Sequence, residues 1–403
     1  MNSERIYLDN AATTPLRAEV AQAMREALPD GNYNPSSLHA EGRRARALLE
    51  SARERIAASL GALRNEVIFT SCGTEANNQA LLGVAQWAPR GAHVVTTAIE
   101  HRAVLAPIAR LREQGIEATI LPVASNGQIE PSQFAAALRP QTVLASVGYA
   151  NNEVGTLQPI AELAAIARGR GVTFHTDAIQ APSWLPVQVR ELGIDLLSLS
   201  AHKFNGPKGI GVLYVRHGVP IAPILYGGGQ EGGRRSGTQN LLAAVGMARA
   251  LELACAERES QSRRVRALRD RLAAGIRSAV PDVRINGATK QRLPNNLHVS
   301  FAGVDSAALL IALDLAGVSV SAGSACASGS LEPSHVLQAL RIETRWQSGA
   351  IRFSLGTATS QSEIDRVLQI LPQVAGELRR PPAGERGDGQ TQKTNGARLG
   401  AEA

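Results

Sequence analysis

The chain has 403 residues, 44% hydrophobic and 19% charged, so it can bury well over half of the surface that its unfolded form exposes. No apolar run approaches the roughly 18 to 20 residues that span a bilayer, and residues 1–8 lack a signal-peptide pattern, so we expect a cytoplasmic protein without membrane segments. Three widely separated cysteines exclude a disulfide framework and paired metal-ligand spacing. The net charge of +7 does not indicate nucleic-acid binding, because the arginines of residues 258–277 alternate with acidic residues and lack interleaved aromatics.

Short β-branched runs alternate with Ala-, Leu- and Arg-rich stretches through the first 260 residues, which indicates parallel βαβ crossovers. The predicted strands are Val67–Phe69, Val94–Thr97, Thr142–Ser146, Val172–His175, Leu196–Leu199 and Val212–Val215. Apolar residues at helical spacing mark Leu48–Leu60, Ile160–Arg168 and Leu241–Glu257. The pattern predicts a large α/β domain with a mainly parallel sheet over residues 17–260.

The pattern of predicted strands and helices changes after the arginine-rich stretch. The new pattern predicts a smaller α+β domain. Its predicted strands and helices are Asn296–Phe301, Ser306–Leu315, Val318–Ser321, Ala350–Ser354 and Ser362–Leu378. We assign residues 1–16 and 261–380 to this second domain. Residues 381–403, rich in Gly, Gln, Thr and Ala with balanced charges, are predicted to be a disordered tail.

A lysine in the run from Ser198 to Gly209 is the first candidate for chemistry. Lys203 follows a predicted strand and precedes a Gly/Pro-rich turn, in a position where it can form a Schiff base with pyridoxal phosphate. Ser200 and His202 beside it can bind the phosphate. A lysine in a loop is ordinarily surface decoration, so the interpretation depends on its companions.

Asp177 follows another predicted strand, at the edge of the sheet where α/β proteins place ligands. A carboxylate there can keep a pyridinium nitrogen protonated and so make the ring an electron sink. Gln180, three residues further on, can reach the ring hydroxyl. On this segment alone, a helix-capping role for Asp177 remains open.

Three further strand ends supply polar groups. The segment containing Gly73 and Thr74 predicts a turn and a helix start that favour an anion, although the same pattern is also ordinary capping. His101 follows the strand Val94–Thr97 and can stack on a ring, unless it is a satisfied structural histidine. Asn152 follows the fifth strand end. Convergence of five strand ends therefore predicts one cofactor site.

Cys326 lies in the run from Ser321 to Ser330, whose small residues are typical of a mobile loop rather than a packed core. Its thiol is expected to be accessible and able to ionise. Cys255, in contrast, lies in a helical stretch that suits a cysteine buried as a small hydrophobe.

Together these segments resemble the cysteine desulfurases of the NifS/IscS type, in the class V aminotransferase family of pyridoxal-phosphate enzymes. The resemblance includes the runs from Tyr7 to Thr14, Asn34 to His39 and Ile351 to Gly356, and it covers nearly everything before the tail. It implies the fold of aspartate aminotransferase, called fold type I.

The resemblance also implies a role for each candidate residue. Lys203 would be the Schiff-base lysine, Asp177 would face the pyridine nitrogen, Gln180 the ring oxygen, and His101 would stack on the ring. Gly73, Thr74, Ser200 and His202 would hold the phosphate, and Thr238 would reach the phosphate of a neighbouring subunit, which implies a homodimer. Asn152 and Arg352 would bind substrate cysteine, since a guanidinium suits its carboxylate.

In the implied reaction the Cys326 thiolate takes sulfur from L-cysteine, alanine leaves and a persulfide remains, with His101 as a hypothetical acid/base group. Cys326 would pass sulfur to an iron–sulfur scaffold protein and can transiently ligate a nascent cluster; no intrinsic metal is expected. The segments containing Cys72 and Ser328 to Val336 lean towards the nitrogenase-associated NifS branch. A selenocysteine lyase, an aminotransferase and a catalytically silent assembly partner are the alternatives, of which transamination needs no thiol.

Overall fold

A computed structural model gives the fold of the chain and describes residues 5–322 and 334–379. Cys326 and the predicted tail, residues 381–403, therefore lie outside the described residues. No helix in the two described ranges is long and apolar enough to cross a membrane.

The larger sheet contains seven strands in the described part of the chain, in the order β2-β8-β7-β6-β5-β3-β4. Their bounds are β2 Val67–Thr70, β3 His93–Thr97, β4 Glu117–Leu121, β5 Thr142–Ser146, β6 Thr173–Asp177, β7 Leu196–Ser200 and β8 Gly211–Val215. Strands β4, β3, β5, β6 and β7 are parallel neighbours, and β2 and β7 both run antiparallel to β8. The carboxyl ends of β2, β3, β5, β6 and β7 consequently lie at one edge of the sheet.

Two strands of the larger sheet differ from the sequence expectation. The strand over Val212–Val215 is present as β8, but it is antiparallel, because residues 201–210 are too short to form the crossover that a parallel strand needs. Strand β4 was not predicted, because it is an edge strand whose residues are mostly partly exposed and show no clean alternation.

Helices pack on the larger sheet and link it to the smaller unit. Their bounds are α1 Ala18–Gly31, α2 Ala40–Leu60, α3 Gly73–Ala85, α4 Arg102–Glu113, α5 Pro131–Ala137, α6 Ile160–Gly169, α7 Val189–Leu192 and α8 Leu241–Ala279. The helical stretch predicted over Leu241–Glu257 is present and continues through the arginine-rich residues, since α8 is one continuous helix of 39 residues. No glycine or proline interrupts residues 257–264, and the polar character of this stretch reflects its exposure rather than a break.

The smaller unit contains two further small sheets in the described residues. A three-stranded antiparallel sheet has the order β12-β10-β9, and β1 pairs with β11 in parallel. The bounds are β1 Ile6–Tyr7, β9 Val283–Ile285, β10 Asn296–Phe301, α9 Ser306–Leu315, β11 Val318–Ser319, α10 His335–Ala339, α11 Thr344–Gln347, β12 Ala350–Ser354 and α12 Gln361–Leu378.

Separate hydrophobic cores underlie the two units. The core around α2 and β7 includes the first part of α8 up to Leu251, whereas a second core takes the same helix from Val265 to Ile276. Ile6 and Leu8 pack in the second core. This distribution supports the predicted division into residues 17–260 and 1–16 with 261–380, although α8 runs through the boundary. The division itself stays a prediction.

A buried ion pair attaches the segment around Thr238 to the larger core. The guanidinium of Arg53 donates two hydrogen bonds to the Glu231 carboxylate, at 2.6 and 2.9 Å, and lies over the Phe69 ring. Glu231 also accepts from the Phe69 N–H at 3.0 Å and from Gln239 Nε2 at 2.8 Å. Both charges of the pair are buried, so each depends on the other for compensation.

We predict that Glu231→Ala lowers the free energy of unfolding by about 3–5 kcal/mol, because it leaves the buried Arg53 charge without its counterion. Glu50→Ala is the matched control: Glu50 contacts Arg53 Nε at 3.3 Å but is partly exposed, and its loss should cost under about 1 kcal/mol. Chemical denaturation of the two variants measures the difference. Equal destabilisation by both would contradict the assignment of Glu231 as the essential counterion.

Candidate active site

The five carboxyl ends of β2, β3, β5, β6 and β7 open into one cavity of about 370 Å³. This volume is in the range that binds small molecules and cofactors. Ten of the twelve predicted site residues line it: Gly73, Thr74, His101, Asn152, Asp177, Gln180, Ser200, His202, Lys203 and Arg352. Thr238 is exposed and lies outside the cavity lining, and Cys326 lies outside the described residues.

Lys203 projects into the cavity from a short 3₁₀ turn, Ala201–Lys203, that follows β7 directly. Its ammonium Nζ donates to the main-chain carbonyl oxygens of Ala11 and Ala12, at 2.7 Å each. The alternative of a lysine decorating the surface is therefore wrong.

Asp177 ends β6 with its carboxylate in the cavity. Oδ1 accepts a hydrogen bond from the Ile179 N–H at 3.0 Å, and Oδ2 accepts from Asn77 Nδ2 at 2.6 Å. No helix begins at Asp177 in the described chain, so the helix-cap alternative is wrong. Gln180, three residues on, donates from Nε2 to the Ala11 carbonyl at 3.0 Å.

The amino terminus of α3 forms a cradle for an anion. Gly73 is the first residue of this 13-residue helix, and the Cys72 side chain caps it by accepting from the Glu75 N–H. A Cβ on Gly73 would overlap Ile179 Cδ1 and lie 3.2 Å from Ser200 Cβ, so only glycine fits at the first position of this helix. The free N–H groups of the first turn and the helix dipole favour a phosphate at this point.

His101 caps α4 and also lines the cavity. Its Nδ1 accepts a hydrogen bond from the Ala103 N–H at 3.0 Å. His101 therefore has a structural role as a cap and also lines the cavity, whereas its stacking on a ring stays a prediction.

Glu100, the residue before it, was not singled out from the sequence, yet its buried carboxyl lines the same cavity. It accepts from Thr97 Oγ1 at 2.6 Å and from the Gly148 N–H at 2.9 and 3.1 Å. Burial, and to a smaller extent the Asp177 charge, raises the pKa of Glu100 to about 7.

Two histidines are neutral in this region: the partly buried His202 in the cavity lining and the fully buried His175 in β6. Burial, followed by the positive charges of Lys203 and Lys208, lowers the pKa of His202 to about 4, and its Nδ1 pairs with Thr13 Oγ1 at 3.1 Å. Burial lowers the pKa of His175 to about 3. His175 bridges Ser146 Oγ and Ser198 Oγ, at 2.8 and 3.0 Å, across β5, β6 and β7. His175 lies two residues before Asp177 in β6, so both side chains are on the same face of the sheet.

Arg352 brings the smaller unit into the site from β12. It is 2% exposed, and its guanidinium donates to Asp9 Oδ1 at 2.8 Å and to the main-chain carbonyl of Asn152 at 3.0 Å. Asn152 thus contributes a backbone oxygen that orients Arg352, in addition to lining the cavity. Asp9 was missed because a partner 343 positions away carries no sequence signal.

The described residues on either side of the Cys326 segment are attached to the rim of the cavity. Before it, Ser321 exchanges main-chain hydrogen bonds with Arg352, at 2.6 and 3.2 Å. After it, Ser334 Oγ donates to the buried Glu153 carboxylate at 2.5 Å, and His335 Nε2 contacts the Glu100 carbonyl at 2.9 Å. The described residues that precede and follow positions 323–333 are therefore both bonded to residues at the cavity.

Comparison with known proteins identifies the family of the chain. Residues 6–367 match the model of the aminotransferase class-V family. The chain belongs to this family. It is 48% identical over 375 residues to "Cysteine desulfurase IscS" of Dictyoglomus turgidum, covering 93% of this chain and 95% of that protein.

Two solved structures extend the comparison. A "NIFS-like protein" has a TM-score of 0.87 at 37% identity, covering 93% of this chain and all of that one. A structure described as "SspA in complex with cysteine" has a TM-score of 0.78 at 33% identity, covering 88% and 100%. These matches confirm the predicted fold. They also confirm that the chain is an enzyme of the cysteine desulfurase group and that it depends on pyridoxal phosphate.

The residues present fit this cofactor. One cavity is lined by the anion cradle at Gly73, the Asp177 carboxylate and Lys203. These three groups match the phosphate, the ring nitrogen and the aldehyde of pyridoxal phosphate. Within residues 5–322 and 334–379, no group of three or more His, Cys, Asp and Glu side chains could hold a metal ion.

We predict that Glu100→Gln flattens the pH dependence of stability between pH about 4.5 and 7. In that window the folded protein keeps a proton on Glu100 that the unfolded chain releases, so the contribution is complete below 4.5 and is lost as pH rises towards 7. The stability of the variant relative to the native chain should therefore increase with pH. Chemical denaturation across the window measures it, with the exposed Glu162→Gln as control; parallel curves for E100Q and the native chain would refute the prediction.

Proposed function

We propose that the protein removes sulfur from L-cysteine, giving L-alanine and a persulfide on Cys326. The observation that carries the proposal is the convergence of Lys203, Asp177 and Arg352 on a cavity to whose rim both described ends of the Cys326 segment are attached. A cavity with this lysine and carboxylate suits pyridoxal-phosphate chemistry in general. The cysteine at position 326, predicted from the sequence as the working thiol, is what favours sulfur transfer over transamination.

Lys203 would hold the cofactor covalently, Asp177 its ring nitrogen, Gln180 its ring hydroxyl and His101 its ring face. Gly73, Thr74, Ser200 and His202 would hold the phosphate, with Asn152 beside the ring. When bound, pyridoxal phosphate supplies an electron sink for the carbon framework of the substrate. The neutral state of His202 suits its role, because a neutral imidazole still offers one N–H donor.

Arg352 would bind the substrate carboxylate. Its guanidinium is buried, so a carboxylate that reaches it forms a charge-assisted contact away from water. Asp9 and the Asn152 carbonyl hold the guanidinium from two sides and fix its direction. Cysteine binding by the related SspA supports an amino acid of this size as substrate.

The sulfur transfer balances without an external oxidant or reductant. The carbon–sulfur bond of cysteine breaks, a sulfur–sulfur bond to Cys326 forms, and the carbon that loses sulfur gains a proton to become the methyl group of alanine. His101 is our candidate for moving protons in the cavity, because its ring is fixed there by its cap on α4. Thiolate formation on Cys326 precedes the attack.

The remaining proposals concern the partners of the protein and its branch within the family. A homodimer is supported by Thr238, which is exposed and outside the cavity of its own chain, while Arg235 ties this segment to Glu75 of α3 at 2.7 Å. An iron–sulfur scaffold protein as sulfur acceptor, a cytoplasmic location and the nitrogenase-associated branch remain predictions from the sequence. A comparison of alanine release from L-cysteine and from selenocysteine distinguishes a cysteine desulfurase from a selenocysteine lyase.

We predict that Cys326→Ala lowers alanine formation from L-cysteine by about 1,000-fold or more, because the nucleophile is lost. The variant should keep the absorption of the bound cofactor, whereas Lys203→Ala should lose it. Cys255→Ala is the matched control, since Cys255 lies on α8 with its thiol near Arg258, outside the cavity lining. Alanine formation that survives in Cys326→Ala would refute the proposed function.

A further inference from the structure

The carboxylate of Asp177 has a buried partner that none of the proposed roles includes. Asn77 lies on α3, fully buried, and its Nδ2 donates to Asp177 Oδ2 at 2.6 Å. The second oxygen of Asp177 is occupied by the Ile179 N–H. Each carboxylate oxygen thus has one fixed donor on the protein side, which orients the carboxylate within the cavity.

The amide of Asn77 is held in one direction by this contact. Its Oδ1 is buried and has no hydrogen-bond partner among the described residues. A buried amide oxygen without a partner is unfavourable, so the side chain retains this cost while its N–H bonds to Asp177. The reverse orientation would put the amide oxygen against a carboxylate oxygen, and two acceptors in contact repel each other.

We infer that Asn77 is a positioning residue that keeps the Asp177 carboxylate directed at the ring nitrogen of the cofactor. The donors on Asn77 and Ile179 fix both carboxylate oxygens, so the carboxylate can offer the ring nitrogen an acceptor in one direction. The inference rests on the proposed role of Asp177. Asn77 itself does not line the cavity, so it acts through the carboxylate.

The test compares cofactor binding to the apoprotein of the native chain and of Asn77→Leu, which removes the donor at similar volume. Two ligands are used: pyridoxal phosphate and its 1-deaza analogue, in which a carbon replaces the ring nitrogen. We expect Asn77→Leu to weaken pyridoxal phosphate by about 10-fold or more, the value of one hydrogen bond to a charged group. Binding of the analogue should change much less, because it offers Asp177 no nitrogen.

A second variant and a control complete the design. Asn77→Asp keeps the shape but sets two carboxylates 2.6 Å apart, so that they compete for one proton; it should also weaken pyridoxal phosphate selectively, even if Asn77→Leu fails to fold. Asn78→Leu, on the same helix, removes only a bond to the Thr74 carbonyl and should preserve the difference between the ligands.

The outcomes separate the inference from its premise. Equal weakening of both ligands, or no weakening, overturns the role of Asn77 while the native chain still prefers pyridoxal phosphate over the analogue. If the native chain and Asp177→Asn bind the two ligands with the same ratio, the role of Asp177 fails, and the inference fails with it.

Discussion

The contact between the Lys203 ammonium and the carbonyl oxygens of Ala11 and Ala12 joins the two halves of the active site. The segment that supplies these carbonyls begins in the core of the smaller unit, where Ile6 and Leu8 are buried, and ends on the edge of the large sheet, where Thr14 bonds to the His202 carbonyl. On the way Asp9 pairs with Arg352. One short stretch of chain therefore contacts and orients both Lys203 of the larger unit and Arg352 of the smaller unit.

Burial controls the charges around this stretch. Burial holds His202 of the cavity lining and His175 of β6 neutral, so positive charge is concentrated on Lys203 and Arg352. Each of these cations faces main-chain carbonyls or a carboxylate already in place. A substrate carboxylate and a phosphate can approach such groups without a large rearrangement, which is the advantage of a preorganised site.

The sequence was most informative where chemistry depends on local order along the chain. Lys203, Asp177, Gly73 and His101 follow strands, and parallel strands bring their carboxyl ends to one edge, so their convergence could be anticipated. Strand β4 could not, because an exposed edge strand has a weak pattern. Apolar spacing marked only the first part of α8, because its central turns cross between two cores and carry no buried face.

Residues that act through others were hidden from the sequence. Asp9 meets Arg352 and Asn77 meets Asp177 only because distant segments fold together, and Glu100 looks like an ordinary charged residue until burial raises its pKa. Tertiary proximity and desolvation leave no mark on a single sequence. The resemblance to cysteine desulfurases could identify the residues that would touch the cofactor, but not those that orient them.

The location of the transferred sulfur tests the account most directly. The cofactor-loaded protein would be mixed with one equivalent of L-cysteine, digested without reductant after thiol blocking, and mapped by mass spectrometry while alanine is quantified. The account predicts one extra sulfur atom on the peptide that contains Cys326 for each alanine released. Sulfur carried by Cys72 or Cys255, or alanine released without protein-bound sulfur under these conditions, would contradict it.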